Sequence, residues 1–120
     1  MAVDGLEVLR EACRGLLYPS ESDEPIVVFV WDTKEPDALT AVAARAAKDK
    51  KIEELHLDDF FRELEASEEA KRFAELHRVL LTTLSIVRVL RVGTVEVQIY
   101  VIGKTRSGHW AGLHTVSVET

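Results

Sequence analysis

The sequence predicts an α+β fold, with helices on both sides of a mainly antiparallel sheet, and three observations lead there. Ile26 to Trp31 is apolar at both alternating sets of positions, the pattern of a strand covered on both faces and so of an inner strand between two layers. In the C-terminal third the apolar period becomes two: Val87 and Val89, then Val95, Val97, Ile99 and Val101, alternate with other residues, as strands require. Between these segments, apolar residues recur at helical spacing. The 120 residues fit one domain, 1–120, and an apolar content of 47% is enough to build its core.

Taken in order, Asp4 and Glu7 have the spacing of a capping box, and Leu6, Leu9, Cys13, Leu16 and Leu17 line one face of the helix that follows. Gly15 marks its end. Pro19 and Pro25 fence a short acidic loop, Ser20-Glu21-Ser22-Asp23-Glu24, before the apolar strand 26–31. Pro36 opens a second helix with Leu39, Val42, Ala43, Ala46 and Ala47 on its apolar side. Leu55-His56-Leu57 reads as a short strand, and Asp58 or Asp59 as the cap of a turn that buries Phe60 or Phe61. Ser67 caps a longer helix whose apolar face is Phe73, Leu76, Leu80 and Leu84. The chain then closes in a three-stranded meander, with Arg106-Ser107-Gly108 turning it into the last strand, Trp110 to Val118. The strand 26–31 is expected to join that meander.

Fifteen basic and 21 acidic side chains give a net charge of −6. That argues against gripping nucleic acid, which calls for a basic face, and suits a protein partner with a basic surface, as a nuclease must have. No apolar run approaches the length of a membrane span, and Met1 to Glu7 has no basic region followed by an apolar stretch. The single cysteine, Cys13, cannot close an internal disulfide, so the reading is a cytoplasmic protein. Its thiol is taken as a small buried apolar group.

Nothing specific supports an enzyme. The chain has no His-x-x-x-His pair, no cysteine pair, no Gly-rich phosphate loop and no Gly-x-Ser-x-Gly elbow. His77 falls at the edge of an apolar stripe, and His109 and His114 are an odd number apart, which on one strand puts them on opposite faces. Asp58-Asp59 and Glu68-Glu69 read as caps and helix-dipole partners. Two features remain: the fenced acidic loop, and a last strand that runs to Thr120 and so holds the terminal carboxylate in place of letting it fray. A carboxylate beside an acidic loop is a phosphate mimic for an arginine cluster or a metal.

At these two features the sequence resembles the nuclease A inhibitor family. Gly15-Leu16-Leu17-Tyr18-Pro19-Ser20-Glu21-Ser22, Pro25 and Val28-Phe29-Val30-Trp31 look like its N-terminal signature. Leu57-Asp58-Asp59-Phe60-Phe61 is similar to a middle motif. Gly93-Thr94-Val95-Glu96-Val97, Tyr100 to Thr105, Gly108, Ala111-Gly112-Leu113 and Val118-Glu119-Thr120 look like its C-terminal signature. The resemblance covers residues 4–31 and 93–120, and the middle, 33–85, is shorter than in the family type.

What the resemblance implies is a three-layer α/β/α sandwich of the PR-1-like kind, and a protein that blocks a sugar-non-specific, magnesium-dependent DNA/RNA endonuclease by occupying its active site. It implies that Glu21, between Ser20 and Ser22, engages basic residues of the nuclease, and that Thr120, after Glu119, reaches the hydrated catalytic magnesium. The metal is the nuclease's, so the chain itself needs no cofactor, and it binds no nucleic acid, membrane or small-molecule substrate. The family also uses a tryptophan from its middle region, whereas the tryptophans here are Trp31 and Trp110. The alternative is a protein-binding or regulatory module on the same fold with no nuclease target.

Overall fold

The computed structural model describes residues 6–19, 23–32, 35–45 and 50–118. Its elements are α1 (Glu7–Cys13), β1 (Leu17–Tyr18), β2 (Glu24–Pro25), β3 (Val27–Trp31), α2 (Ala38–Arg45), β4 (Ile52–Leu55), α3 (Leu57–Leu64), α4 (Ala70–Thr83), β5 (Ser85–Val92), β6 (Glu96–Lys104) and β7 (Trp110–Val118). Five strands form one sheet in the order β3-β7-β6-β5-β4, with every neighbouring pair antiparallel. β1 and β2 form a separate two-stranded pair. The α+β class and the closing meander, β5-β6-β7, are as the sequence indicates, and β3 joins that meander beside β7.

Alternation along the strands divides the core. Val89, Val97, Ile99, Val101, Ala111 and Leu113 point to the face on which α1, α3 and α4 pack, through residues such as Leu9, Phe61, Phe73 and Leu80. Leu90, Val92, Ile102 and Trp110 point the other way, against Ala38, Ala41 and Val42 of α2. Gly112 is required by space: a Cβ there would run into the carbonyl oxygen of Val101, so β7 can approach β6 this closely only without a side chain.

Several local expectations are corrected. β3 is an edge strand, not an inner one: β7 is its only strand neighbour among the described residues, and Val27 and Val30 stand exposed. Helix α1 begins at Glu7 with Leu6 at its N-cap and no side-chain cap bond there, and Glu7 lies 3.1 Å from Arg10; Asp4, the expected cap, lies outside the described residues. The same helix stops at Cys13, which puts Leu17 on β1 and exposes it. On α2 the buried side is Ala38, Ala41 and Val42, with Leu39 and Ala43 exposed and Ala46 and Ala47 outside the described residues. Its cap is Asp37, whose Oδ1 accepts from Thr40 N at 2.8 Å.

The short strand falls earlier than expected, at Ile52–Leu55, because His56 leaves it to cap α3: its Nδ1 accepts from Asp58 N at 3.3 Å. Asp58 and Asp59 therefore occupy the first turn, where carboxylates suit the helix dipole, and both Phe60 and Phe61 are buried. Ser67 closes α3 and does not open α4, since its hydroxyl donates to Leu64 O at 2.6 Å. A hydroxyl can accept at the start of a helix or donate to a carbonyl at its end, which is why spacing alone misplaces Ser67.

Candidate functional site

Ser20, Glu21, Ser22, Glu119 and Thr120, the residues singled out from the sequence, lie outside the described residues. The described structure is what carries them. After α1, Gly15 takes φ +74°, a value that favours glycine, and turns the chain back. Arg72 of α4 donates to Arg14 O at 2.7 Å and Ala12 O at 3.3 Å, a cation on the carbonyl end of a helix. Leu16 is then buried, and Ile26 N donates to its carbonyl at 3.3 Å. β1 and β2 pair as Leu17 with Pro25 and Tyr18 with Glu24, so they form a stem under residues 20–22. The Tyr18 ring lies parallel to Phe60, with centroids 5.9 Å apart, and fastens the stem to α3.

A second fastening runs to the last strand. The buried hydroxyl of Thr115 donates to Pro25 O at 3.0 Å and lies 3.5 Å from Glu24 O. Pro25 has no N–H, so its carbonyl is its only backbone bonding group. β7 continues from Thr115 to Val118, which pairs with Glu96, a run of about 10 Å at roughly 3.3 Å per residue. The stem that carries residues 20–22 and the strand that leads to residues 119 and 120 are thus bonded to one another at one end of the sheet.

Beside the stem, Leu17 and Pro19 face Ser67, Glu68, Glu69 and Phe73 across a groove. Exposed carboxylates of Glu68 and Glu69 border it, and Asp23, next to Glu24 of the stem, is exposed as well. On the α1 side stand Arg10 and Arg14, which line a neighbouring groove with Cys13, Leu16 and Val28. Burial pushes the Cys13 thiol up from its ordinary pKa, so it is an inert packing group here.

An aromatic cluster that sequence reasoning missed lies on the sheet face that α2 only partly covers. Phe29 lies 4.5 Å from Trp31 and 5.9 Å from Tyr100, and Tyr100 lies 4.9 Å from His114, centroid to centroid. Its signal was parity: these residues share one face once β3, β7 and β6 are known to be neighbours. Nε2 of His114 lies 2.6 Å from Gln98 Oε1, the geometry of a donated imidazole proton. Burial lowers the His114 pKa and raises that of Tyr100. Trp110, buried at the α2 end, donates from Nε1 to Glu35 O at 2.9 Å, a packing and anchoring role.

His77 is at the core edge, as its place in the stripe suggests. Its ring stacks on Phe61 with centroids 4.3 Å apart, and Nδ1 lies 3.2 Å from Glu65 Oε2. Among the described residues no group of three or more His, Cys, Asp or Glu side chains is placed to hold a metal ion, and no helix is long and apolar enough to cross a membrane. A model of the nuclease A inhibitor-like protein family matches residues 4–120, the divergent middle included. No curated protein matches the chain.

Proposed function

We propose that this chain, which belongs to the nuclease A inhibitor-like family, binds and blocks the active site of a sugar-non-specific, magnesium-dependent DNA/RNA endonuclease. The observation that carries the reading is the Thr115 tie, because it bonds the stem beneath Ser20-Glu21-Ser22 to the strand leading to Glu119 and Thr120. The tie supports a reading in which one partner meets both motifs, nearly a hundred residues apart in sequence.

In this reading the Glu21 carboxylate enters a cluster of basic residues and makes charge-assisted, often bidentate bonds, while Glu119 and Thr120 approach the nuclease's hydrated magnesium with oxygen ligands. The metal belongs to the nuclease, and the chain performs no catalysis of its own. The net charge of −6 and the carboxylates of Asp23, Glu68 and Glu69 near the stem suit the basic cleft of an enzyme whose substrate is a polyanion. Packing of α2 on one sheet face and α1, α3 and α4 on the other supports a three-layer α/β/α arrangement of the PR-1-like kind, acting as one domain. A lone buried Cys13 fits a cytoplasmic setting.

The test is a titration of purified chain against non-specific nucleases of its own host, with plasmid cleavage as readout. Stoichiometric loss of cleavage is the expected result. Full cleavage at every ratio, for every such nuclease, would overturn the reading and leave a protein-binding module on the same fold.

A further inference from the structure

The two edges of the five-stranded sheet are built in opposite ways. β4 is four residues long and carries Glu53 and Glu54, charges of the kind that keep an edge from pairing with another chain. β3, at the other edge, reads Val27-Val28-Phe29-Val30-Trp31. It has no charge, no proline and no shift in its register with β7. On its outer side no strand pairs with it among the described residues. Its sequence is that of an interior strand, and an edge so composed is a template for one more strand. Exposure agrees, with Val27 at 49% on the aromatic face and Val30 at 41% on the face of α1.

We propose that β3 pairs antiparallel with β3 of a second copy of this chain, about a two-fold axis at Phe29, so that the two sheets run on into one. The occupant follows from self-complementarity. In this register Val27 meets the partner's Trp31, Val28 meets the partner's Val30, and Phe29 meets the partner's Phe29, all of them aromatic or β-branched cross-strand pairs. Each exposed valine gains an apolar neighbour. Val28 borders the groove that Cys13, Leu16 and Leu17 also line, and there the partner's Val30 finds apolar surroundings.

Charge agrees as well. Asp32, its side chain 97% exposed and its Oδ1 3.2 Å from His109 Nε2, follows the strand with the parity of Val28 and Val30. The two-fold brings it toward the groove that Arg10 and Arg14 line on the other copy, beside Leu16, whose carbonyl already accepts from Ile26 N, and these arginines also hold Glu7 and Glu11. Being isologous, the contact makes each of these pairings twice. Pairing turns β3 into the interior strand that its sequence describes. The proposal does not depend on the nuclease reading, since the paired residues are Val27–Trp31 and neither the acidic loop nor the end of β7 takes part.

Sedimentation equilibrium of the full chain over a wide concentration series tests it. The wild type should form dimers. Val27→Lys and Val30→Lys place a charge on the pairing edge at positions that the core does not use, and each should weaken the dimer by at least about tenfold. Val95→Lys, at a position 59% exposed in the β5–β6 turn, should leave it unchanged. Phe29→Cys should cross-link to its own copy under mild oxidation, whereas Val27→Cys should not, because residues opposed across the axis bring their Cβ atoms within disulfide reach. Circular dichroism checks that each variant folds, and the cysteine pair decides alone if a lysine variant does not. A chain monomeric at every concentration overturns the proposal, as does a dimer indifferent to both lysines. A monomer whose lysine variants lose nuclease binding would give this edge to the nuclease and overturns it equally.

Discussion

The Thr115 hydroxyl is the most direct handle on how the fold serves the site. Thr115 is buried, and its Oγ1 donates to Pro25 O at 3.0 Å with Glu24 O at 3.5 Å. Thr115→Val keeps the β-branch, so β7 retains its packing and strand preference. What changes is a carbonyl group left without its donor, which costs about 1–3 kcal/mol when the group is buried. Pro25 is itself exposed, so the lower end applies. Urea unfolding should show a loss of about 1–2 kcal/mol with an unchanged slope. If stem and strand end act together on a nuclease, inhibition should weaken by up to roughly tenfold, the equivalent of about 1.4 kcal/mol. Thr115→Ser retains the donor and should restore most of both. A valine variant that inhibits as well as wild type despite lower stability would show that this tie does not position the site. One with wild-type stability would show that the bond contributes nothing to the fold.

Other outcomes follow from the same reading. Glu21→Gln should weaken inhibition at least about tenfold, since truncated charge contacts in a desolvated cleft cost about 2–5 kcal/mol, while the melting temperature stays put; equal titration curves would take Glu21 out of the site. With a net charge of −6, association with a basic nuclease should slow steeply as salt rises while dissociation changes little; stopped-flow rates flat across salt would contradict steering. Burial holds His114 below its usual pKa of 6.5, so the unfolded chain takes up that proton first on acidification. Its contribution to stability is fully present above about 6.5 and declines as pH falls toward the lower folded value. Thermal melts of wild type and His114→Gln should therefore diverge across that window, and parallel curves would refute it.

How much of the fold was legible depends on whether the signal is local. The meander was, because period two and the turn at Arg106-Ser107-Gly108 are written within one stretch of chain. The place of β3 was not. Its composition specifies two covered faces, and faces say nothing about whether both hydrogen-bonding edges are filled. Helix limits failed wherever a side chain had a choice of partners: His56 caps α3 in place of Asp58 or Asp59, and Ser67 bonds backward to Leu64 O. On α2 the apolar side turned because Ala38, Ala41 and Val42 fit closely against Leu90, Ile102 and Trp110, and small residues read weakly as a hydrophobic stripe.

The site divides along the same line. A Pro-fenced Ser-Glu-Ser segment and a strand end rich in oxygen ligands are visible in the residues themselves, while the roles of Glu21 and Thr120 come from the family resemblance. The link between the strands that flank them is not visible, because it rests on one hydroxyl reaching a carbonyl 90 positions away. It rests also on the register that sets Val27 against His114, and thereby puts Thr115 beside the stem. That register depends in turn on β7 lying close against β6, where a side chain at position 112 would strike the Val101 carbonyl. Read in the chain, Gly112 is an unremarked glycine within a strand. In the fold it admits β7 to the place from which Thr115 reaches Pro25, so a residue with no side chain belongs to the set that positions the β1–β2 stem relative to the last strand.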